Sequence, residues 1–214
     1  MNADFIQPGV TAIIGSGGKT SLIDRLSREL PGSVIVCTST HIYPAASLPL
    51  FTEAITRMPE KRICVGTPTK MGKLTAPIQS FEELTALADY VLVEADGSRR
   101  LPLKAHLPHE PVVPACAGQV IGVVGLSGLG QTIAEAAHRP EQYAKLCGAD
   151  LADIVTPELA AKVLNAENLA DFYILNQADD EVSIQNGGEL GKLLQKPYFL
   201  TTLKAPLEGN CQKS

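Results

Sequence analysis

The chain has 214 residues, of which 45% are hydrophobic and 19% are charged, and its formal net charge is −5. This length predicts one α/β domain, or one domain with a small insertion, and the hydrophobic fraction allows a substantial core. The negative net charge argues against a broad nucleic-acid-binding surface, so we expect no nucleic-acid partner, although a local basic cluster can still bind a small anion.

Cysteine usage and the first residues of the chain both predict a cytoplasmic protein. The five cysteines are scattered and contain no C-x-x-C pair, which is typical of buried thiols in a reducing compartment. The N-terminus lacks the basic-then-apolar pattern of a signal peptide. Residues 111–134 carry no charge, but their prolines and glycines predict a buried strand and a turn instead of a membrane span. We therefore expect no membrane partner.

Apolar runs and helical segments alternate along the chain, which predicts a doubly wound α/β fold with a mostly parallel sheet. The predicted strands are residues 10–14, 34–38, 62–65, 90–93, 119–124, 153–155, 172–175 and 198–201. The predicted helices are residues 20–29, 81–88, 141–147, 158–165 and 188–194. Residues 1–204 are predicted to form one domain, with irregular excursions at residues 67–77 (a loop or short hairpin) and 98–114, and residues 205–214 to form a flexible tail.

A glycine-rich loop follows the first predicted strand and indicates a phosphate site in a sheet of P-loop NTPase type. Its residues are Gly15, Ser16, Gly17, Gly18, Lys19, Thr20 and Ser21. Glycines let backbone N–H groups approach an anion, and the helix start adds the positive end of its dipole. The lysine can reach the β- and γ-phosphates, and the threonine can ligate Mg²⁺. Ile13 stands where the first glycine of G-x-x-x-x-G-K-[ST] belongs, so the loop resembles the compact P-loop of Mur-type ligases.

Hydroxyl side chains follow the second predicted strand. Thr38, Ser39 and Thr40 precede His41 at a strand end that lies beside the phosphates in a P-loop fold. These hydroxyls can ligate Mg²⁺ or contact the γ-phosphate, and the alternative is an ordinary turn rich in serine and threonine.

Two acids leave the fourth predicted strand, in the sequence Val-Leu-Val-Glu-Ala-Asp. Hydrophobic residues that end in an acid are typical of the Walker B element, whose carboxylate holds Mg²⁺ directly or through water. Glu94 and Asp96 point the same way on an extended chain, so either can be the metal-side acid and the other a base or a supporting partner. The alternative is a solvated pair of acids.

A basic segment comes directly after these acids. Arg99, Arg100 and Lys104 can neutralise charge in a transition state or bind an anionic second substrate, and the alternative is a pair of surface arginines in a loop. Further along, Asn176 and Asp179 stand in an Asn-Gln-x-Asp sequence that resembles the guanine-reading N-K-x-D element, with glutamine in place of lysine. A plain strand-end turn explains that sequence as well, so the nucleotide is predicted as ATP or GTP.

Five motifs taken together resemble one family. They are GSGGKTS, TSTHIYP, VLVEADGSRRLPLKAHLPHEPVVP, HRPE and LNQAD, spread over roughly residues 10–180. The chain is similar in these motifs to the YqeC family of selenium-dependent hydroxylase accessory proteins. The resemblance implies a role in the maturation of selenium-dependent molybdenum hydroxylases, with a protein of that maturation pathway as a partner.

These observations predict a Mg²⁺-dependent nucleotide-binding accessory protein, with NTPase activity as the expected reaction. The candidate catalytic residues are Lys19, Glu94, Asp96, Arg99 and Arg100, and the candidate metal ligands are Thr20, Glu94 and Asp96. One alternative is a Mur-like ligase or a small-molecule kinase. The other is a non-hydrolysing, nucleotide-switched binding module or metallochaperone, suggested by His106, His109 and Cys116. Zinc at that group is disfavoured, because Pro108 prevents regular helical presentation and the spacing matches no recognised ligand set.

Overall fold

The computed structural model describes residues 3–45 and 47–203. The strands are β1 (Gly9–Gly15), β2 (Val34–Thr38), β3 (Leu50–Phe51), β4 (Arg62–Val65), β5 (Thr67–Pro68), β6 (Leu74–Thr75), β7 (Tyr90–Glu94), β8 (Leu103–Lys104), β9 (Ala117–Gly125), β10 (Ala137–His138), β11 (Phe172–Asn176) and β12 (Tyr198–Leu200). The helices are α1 (Lys19–Glu29), α2 (Phe81–Thr85), α3 (Ile133–Ala136), α4 (Pro140–Cys147), α5 (Pro157–Glu167) and α6 (Glu181–Leu193). Two short 3-10 turns lie at Ala3–Phe5 and Leu126–Gly128.

An eight-stranded parallel sheet runs through the middle of the fold. Its order is β12-β11-β9-β1-β7-β2-β4-β3, and each neighbouring pair is parallel. After β1 the chain builds β2, β3, β4 and β7 on one side of β1. It then crosses to the other side, where it builds β9, β11 and β12. In such sheets ligands bind outside the carboxyl ends of the strands, where the winding direction changes. The predicted doubly wound, mostly parallel sheet is confirmed.

Helices cover both faces of this sheet. On β1, Ile13 packs with Leu22 and Leu26 of α1, whereas Ala12 and Ile14 belong to the core under α3, α4, α5 and α6. Strands that are buried on both faces have nearly continuous apolar sequences. For this reason seven of the eight predicted strands fall on observed ones, with ends that differ by at most two residues.

Three predicted elements differ from the structure. The strand predicted at residues 153–155 is wrong, because Ile154 makes only an isolated bridge to Thr132. Helix α2 ends three residues earlier than predicted. Helix α6 begins at Glu181 instead of residue 188, because Asp180 caps it in a capping box with Ser183, a feature that apolar periodicity does not reveal.

The two irregular excursions each contain short strands. Within residues 67–77, β5 and β6 form a small antiparallel hairpin, one of the two forms predicted there. Within residues 98–114, β8 pairs with β10 in a two-stranded parallel sheet that was not predicted. In the part of the chain that the structure describes, no helix is long and apolar enough to cross a membrane. The single-domain assignment stays a prediction, and the tail predicted at residues 205–214 lies outside the described residues.

Candidate phosphate-binding cleft

The glycine loop lies at the carboxyl end of β1 and leads directly into α1. Gly15, Gly17 and Gly18 have φ angles of 91°, 81° and 134°, which L side chains rarely adopt. Space is short as well, since a Cβ on Gly17 would meet the backbone of Gly125. Gly18 is the N-cap of α1, and among the described residues no side chain caps this helix. The first N–H groups of α1 are therefore left for a ligand.

Lys19 is buried in this loop although it carries a charge. Its Nζ donates a 2.6 Å hydrogen bond to the carbonyl oxygen of Gly15 and lies 2.9 Å from Oδ1 of Asp96. Oε1 of Glu94 is 3.8 Å from the same nitrogen. An ammonium can be buried only if carboxylates and carbonyl oxygens compensate it, and these three groups do so.

Asp96 is a buried anion at the meeting point of the glycine loop and the basic segment. Its Oδ2 accepts a 2.8 Å hydrogen bond from the backbone N–H of Gly15, and it lies 2.7 Å from Nε2 of His106 and 3.2 Å from Nζ of Lys104. Burial acts to raise the pKa of Asp96, but the hydrogen bond from His106 and the charges of Lys19 and Lys104 hold it well below its ordinary range. The carboxylate is therefore ionised and surrounded by cations.

His106 bridges two carboxylates. Its Nε2 lies 2.7 Å from Asp96, and its Nδ1 lies 2.9 Å from Oε2 of Glu167 in α5. Burial acts to lower the pKa of His106, but the hydrogen bonds with Asp96 and Glu167 outweigh burial and raise it. An imidazole that faces a carboxylate on each side uses both nitrogens as donors, which favours its protonated form.

Glu94 is the acid that faces the open site. Its Oε2 accepts a 3.4 Å hydrogen bond from Thr20 Oγ1, and Thr38 supports the strand end by donating to the Glu94 carbonyl at 2.7 Å. Burial raises the pKa of Glu94, with Lys19 opposing that shift. A carboxylate and a hydroxyl beside the glycine loop fit Mg²⁺, which takes few protein oxygens and keeps water and phosphate as its other ligands. The oxygens of Asp96 instead face two lysines and a histidine, so the donor set that fits a cation is Thr20 with Glu94.

An open cleft of about 1130 Å³ begins at this loop. It brings together predicted residues from three segments of the chain: residues 17–21, Thr40, Glu94, Arg99 and Arg100. Gly15, Ser16, Thr38 and Asp96 are buried beneath them. The predicted residues therefore form two layers, one that faces the cleft and one that holds the first in position.

The Asn-Gln-x-Asp sequence supports the glycine loop instead of projecting freely from it. Asn176 Nδ2 donates a 2.7 Å hydrogen bond to the carbonyl oxygen of Gly17. Gln177 has a φ angle of 70° and lines the cleft, and Asp179 accepts a 2.5 Å hydrogen bond from Thr202 Oγ1. The choice between ATP and GTP stays a prediction, because Asn176 and Asp179 are both engaged with protein groups.

The histidines and cysteine of the metallochaperone alternative do not form a site. Both ring nitrogens of His106 face carboxylates, whereas His109 is exposed. Within residues 3–45 and 47–203, no cluster of three or more His, Cys, Asp or Glu side chains could hold a metal ion. His106, His109 and Cys116 therefore give no support to the metallochaperone alternative.

Sequence reasoning did not predict Glu167, and it noted His138 and Arg139 only within the HRPE motif. Glu167 is 61 residues from His106, and no local pattern links the two. Arg139 precedes the proline that opens α4 and has a left-handed backbone with a φ angle of 67°. The sequence signal for Arg139 is its position directly before the proline that opens α4, because such a residue has a restricted backbone.

The fold is doubly wound α/β, consistent with the P-loop type, and it carries a short glycine loop and a basic cleft. A family model described as YqeC protein matches residues 11–141, which is more than half of the chain. The chain belongs to the YqeC family. It is also 35% identical, over 162 residues, to the "Uncharacterized protein YqeC" of Escherichia coli (strain K12). That match covers 66% of this chain and 62% of the relative, so the chain spans less than two thirds of the relative's length.

Proposed function

We propose that this protein binds a nucleoside triphosphate with Mg²⁺ in the cleft and acts as an accessory protein in the maturation of selenium-dependent molybdenum hydroxylases. Membership in the YqeC family supports a role as an accessory protein of selenium-dependent hydroxylases. The observation that carries the nucleotide proposal is the uncapped start of α1, with Gly18 at its N-cap and Lys19 and Thr20 behind it. Backbone N–H groups at such a helix start bind phosphate well.

Lys19 changes partner in this proposal. Its Nζ, now 2.9 Å from Asp96, would leave that carboxylate to meet a phosphate oxygen above the loop. Asp96 then remains compensated by Lys104 at 3.2 Å and His106 at 2.7 Å. The lysine can therefore leave Asp96 without stranding a buried, unpaired carboxylate.

Thr20 and Glu94 would hold Mg²⁺, which supplies charge neutralisation between the phosphates. Glu94 already accepts a hydrogen bond from Thr20, so the two oxygens lie 3.4 Å apart. Arg99 and Arg100 line the cleft and would neutralise charge either on the phosphates or on a second anion.

A second candidate is phosphoryl transfer or ligation onto another small molecule. The observation that favours it is the size and charge of the cleft, which carries Lys73 and Arg139 in addition to the residues already named. A binding site for a nucleotide alone does not need cations on that many separate segments.

The test is titration of Mg-ATP and Mg-GTP into the wild-type protein and the Lys19→Ala variant, with phosphate release followed in parallel. Loss of a charge-assisted hydrogen bond is expected to weaken binding roughly 10- to 100-fold. The matched control is Lys162→Ala, an exposed lysine of α5, which should bind like wild type. Turnover that the Lys19 variant loses supports an NTPase, and binding without turnover supports a switch. If neither nucleotide binds the wild-type protein, the proposal fails.

A further inference from the structure

Left-handed backbone conformations are concentrated at the cleft. Among the described residues, five non-glycine residues have a positive φ, and four of them line the cleft: Arg99, Arg100, Arg139 and Gln177. The fifth, Asn168, is an ordinary helix C-cap. Sparsely populated backbone conformations cost free energy and persist only where the surrounding structure enforces them. Such residues cluster at ligand clamps. Three arginines in this state line one cleft, and this points to a ligand.

Arg139 lines the cleft and has one buried donor without a partner in the described part of the chain. Its Nη2 donates to Oε1 of Glu110 at 3.3 Å, which fixes the direction of the guanidinium. Its Nε is buried and has no hydrogen-bond partner among the described residues. Buried donors in native proteins are nearly always satisfied, so this nitrogen needs an acceptor, which a bound anion or a water supplies. A guanidinium fork fits the paired oxygens of a phosphate or a carboxylate.

The neighbourhood of Arg139 is strongly positive. Burial lowers the pKa of His138, and the charges of Lys104, Arg139 and Arg99 lower it further, while Glu110 opposes them. His138 lines the cleft beside these cations and is therefore neutral at physiological pH. An anion that enters here meets several positive charges and one carboxylate that is already paired.

A chain of ion contacts connects this wall to the glycine loop. Nζ of Lys19 lies 2.9 Å from Asp96, and Asp96 lies 3.2 Å from Lys104. Lys104 lies 3.6 Å from Glu110, and Glu110 lies 3.3 Å from Arg139. Lys19 and Arg139 therefore stand at opposite ends of one ion-pair network, which is buried at Lys19 and partly exposed at Arg139. The cleft between them has a volume of about 1130 Å³, close to the upper end of the roughly 300–1,000 Å³ that is typical of small-molecule sites.

We propose that Arg139, Arg99 and Arg100 form a second anion subsite, which binds the oxyanion group of a small-molecule co-substrate while the glycine loop binds the nucleotide. The assignment of a co-substrate to this subsite rests on the proposed function. The binding of an anion there is independent of that function. Phosphate and carboxylate present the same paired oxygens to arginine, so both classes of compound are candidates.

The experiment uses the Lys19→Ala protein, in which the glycine loop has lost its cation, and titrates inorganic phosphate and, separately, citrate by calorimetry. We expect at least one anion to bind to this variant, and added Arg139→Gln to weaken that binding roughly tenfold or more. Arg100→Gln, at an exposed position, should weaken it as well. The matched control is Arg57→Gln, an exposed arginine between β3 and β4, which should leave binding unchanged. The stronger of the two anions identifies a phosphorylated or a carboxylated co-substrate.

Two results would overturn the subsite. One is absence of anion binding in the Lys19→Ala protein, and the other is binding that both Arg139→Gln and Arg100→Gln leave intact. Neither measurement uses a nucleotide. Failure of the subsite is therefore distinguishable from failure of the proposed function, which appears as absence of Mg-ATP and Mg-GTP binding to the wild-type protein.

Discussion

Replacement of Asp96 by asparagine removes the charge that holds the site together while leaving the shape of the side chain nearly unchanged. Asp96 is fully buried and lies within 3.2 Å of Lys19, Lys104 and His106. In the variant these cations face a neutral amide, whose NH₂ group also presents donors to them. The prediction is a large loss of stability at neutral pH.

The size of the loss follows from the partners that remain. Removal of one member of a buried ion pair costs about 3–5 kcal/mol, because the other charge stays buried without compensation. Here Lys104 keeps Glu110 at 3.6 Å and the Gly97 carbonyl at 2.7 Å, and Lys19 keeps the Gly15 carbonyl at 2.6 Å. These contacts place the Asp96→Asn loss near the lower end, at about 3 kcal/mol.

Urea unfolding followed by circular dichroism measures this loss. If the unfolding free energy falls by about 3 kcal/mol per molar urea, the midpoint of urea unfolding should fall by about 1 M. Asp150→Asn is the control, since Asp150 is exposed and the described residues give its carboxylate no hydrogen bond, so its midpoint should stay near wild type. Lys104→Met added to Asp96→Asn should cost less than the two single changes together, by about 1 kcal/mol or more. An Asp96→Asn midpoint equal to that of the Asp150 variant would refute the ion-pair reasoning.

Three further predictions concern stability and use the same urea measurement. Ser80→Ala removes the capping box of α2 and should cost about 1 kcal/mol, and a change below a few tenths would contradict a role for the cap. Gly191→Ala should destabilise by about 1–3 kcal/mol, because its Cβ would enter the ring of Tyr198, whereas Gly188→Ala on the same helix has open space and should stabilise by up to about 1 kcal/mol. Equal effects at the two glycines would contradict the packing. His106 has a raised pKa in the folded protein, so its contribution is complete below its ordinary value of 6.5 and is lost as pH rises through the folded value. His106→Gln should remove that part of the alkaline decline, and an unchanged slope would show that another group causes it.

Much of the fold could be predicted because its causes are local. Parallel strands covered on both faces must be apolar throughout, and the central strands of this sheet have that pattern without interruption. The caps of α2 and α5 are local in sequence, as Ser80 with Glu83 and as Thr156 before a proline. The cap of α6, Asp180 with Ser183, leaves no mark in the apolar periodicity, so the prediction missed the first seven residues of this helix. Exposed Val182 near the start of α6 also disturbs the apolar period there.

The candidate site was predictable only where neighbours in sequence make the chemistry. The glycine loop and the acids after β7 each lie on one short segment, so their residue types were informative. The separate places of Glu94 and Asp96 were not predictable, because they depend on Lys104 and His106, which contact Asp96, and on Glu167 of α5, which contacts His106. Spacing along a strand predicts a shared direction, and it does not predict which oxygen meets a cation.

The charges in the ion-pair network between Lys19 and Arg139 balance one another, so the proposed binding of an anion needs further cations in the cleft. With His106 protonated, the network contains four cations and four carboxylates: Lys19, Lys104, His106 and Arg139 with Glu94, Asp96, Glu110 and Glu167. A balanced network has no surplus positive charge with which to hold a multiply charged anion in a region of low dielectric. The surplus must come from a bound divalent ion or from cations outside the network. Arg99, Arg100 and Lys73 line the cleft, and no ion pair with an acid is found for them within residues 3–45 and 47–203. Their positions, more than the buried lysines, therefore set how much negative charge the site can accept, and the arginine variants test that capacity directly.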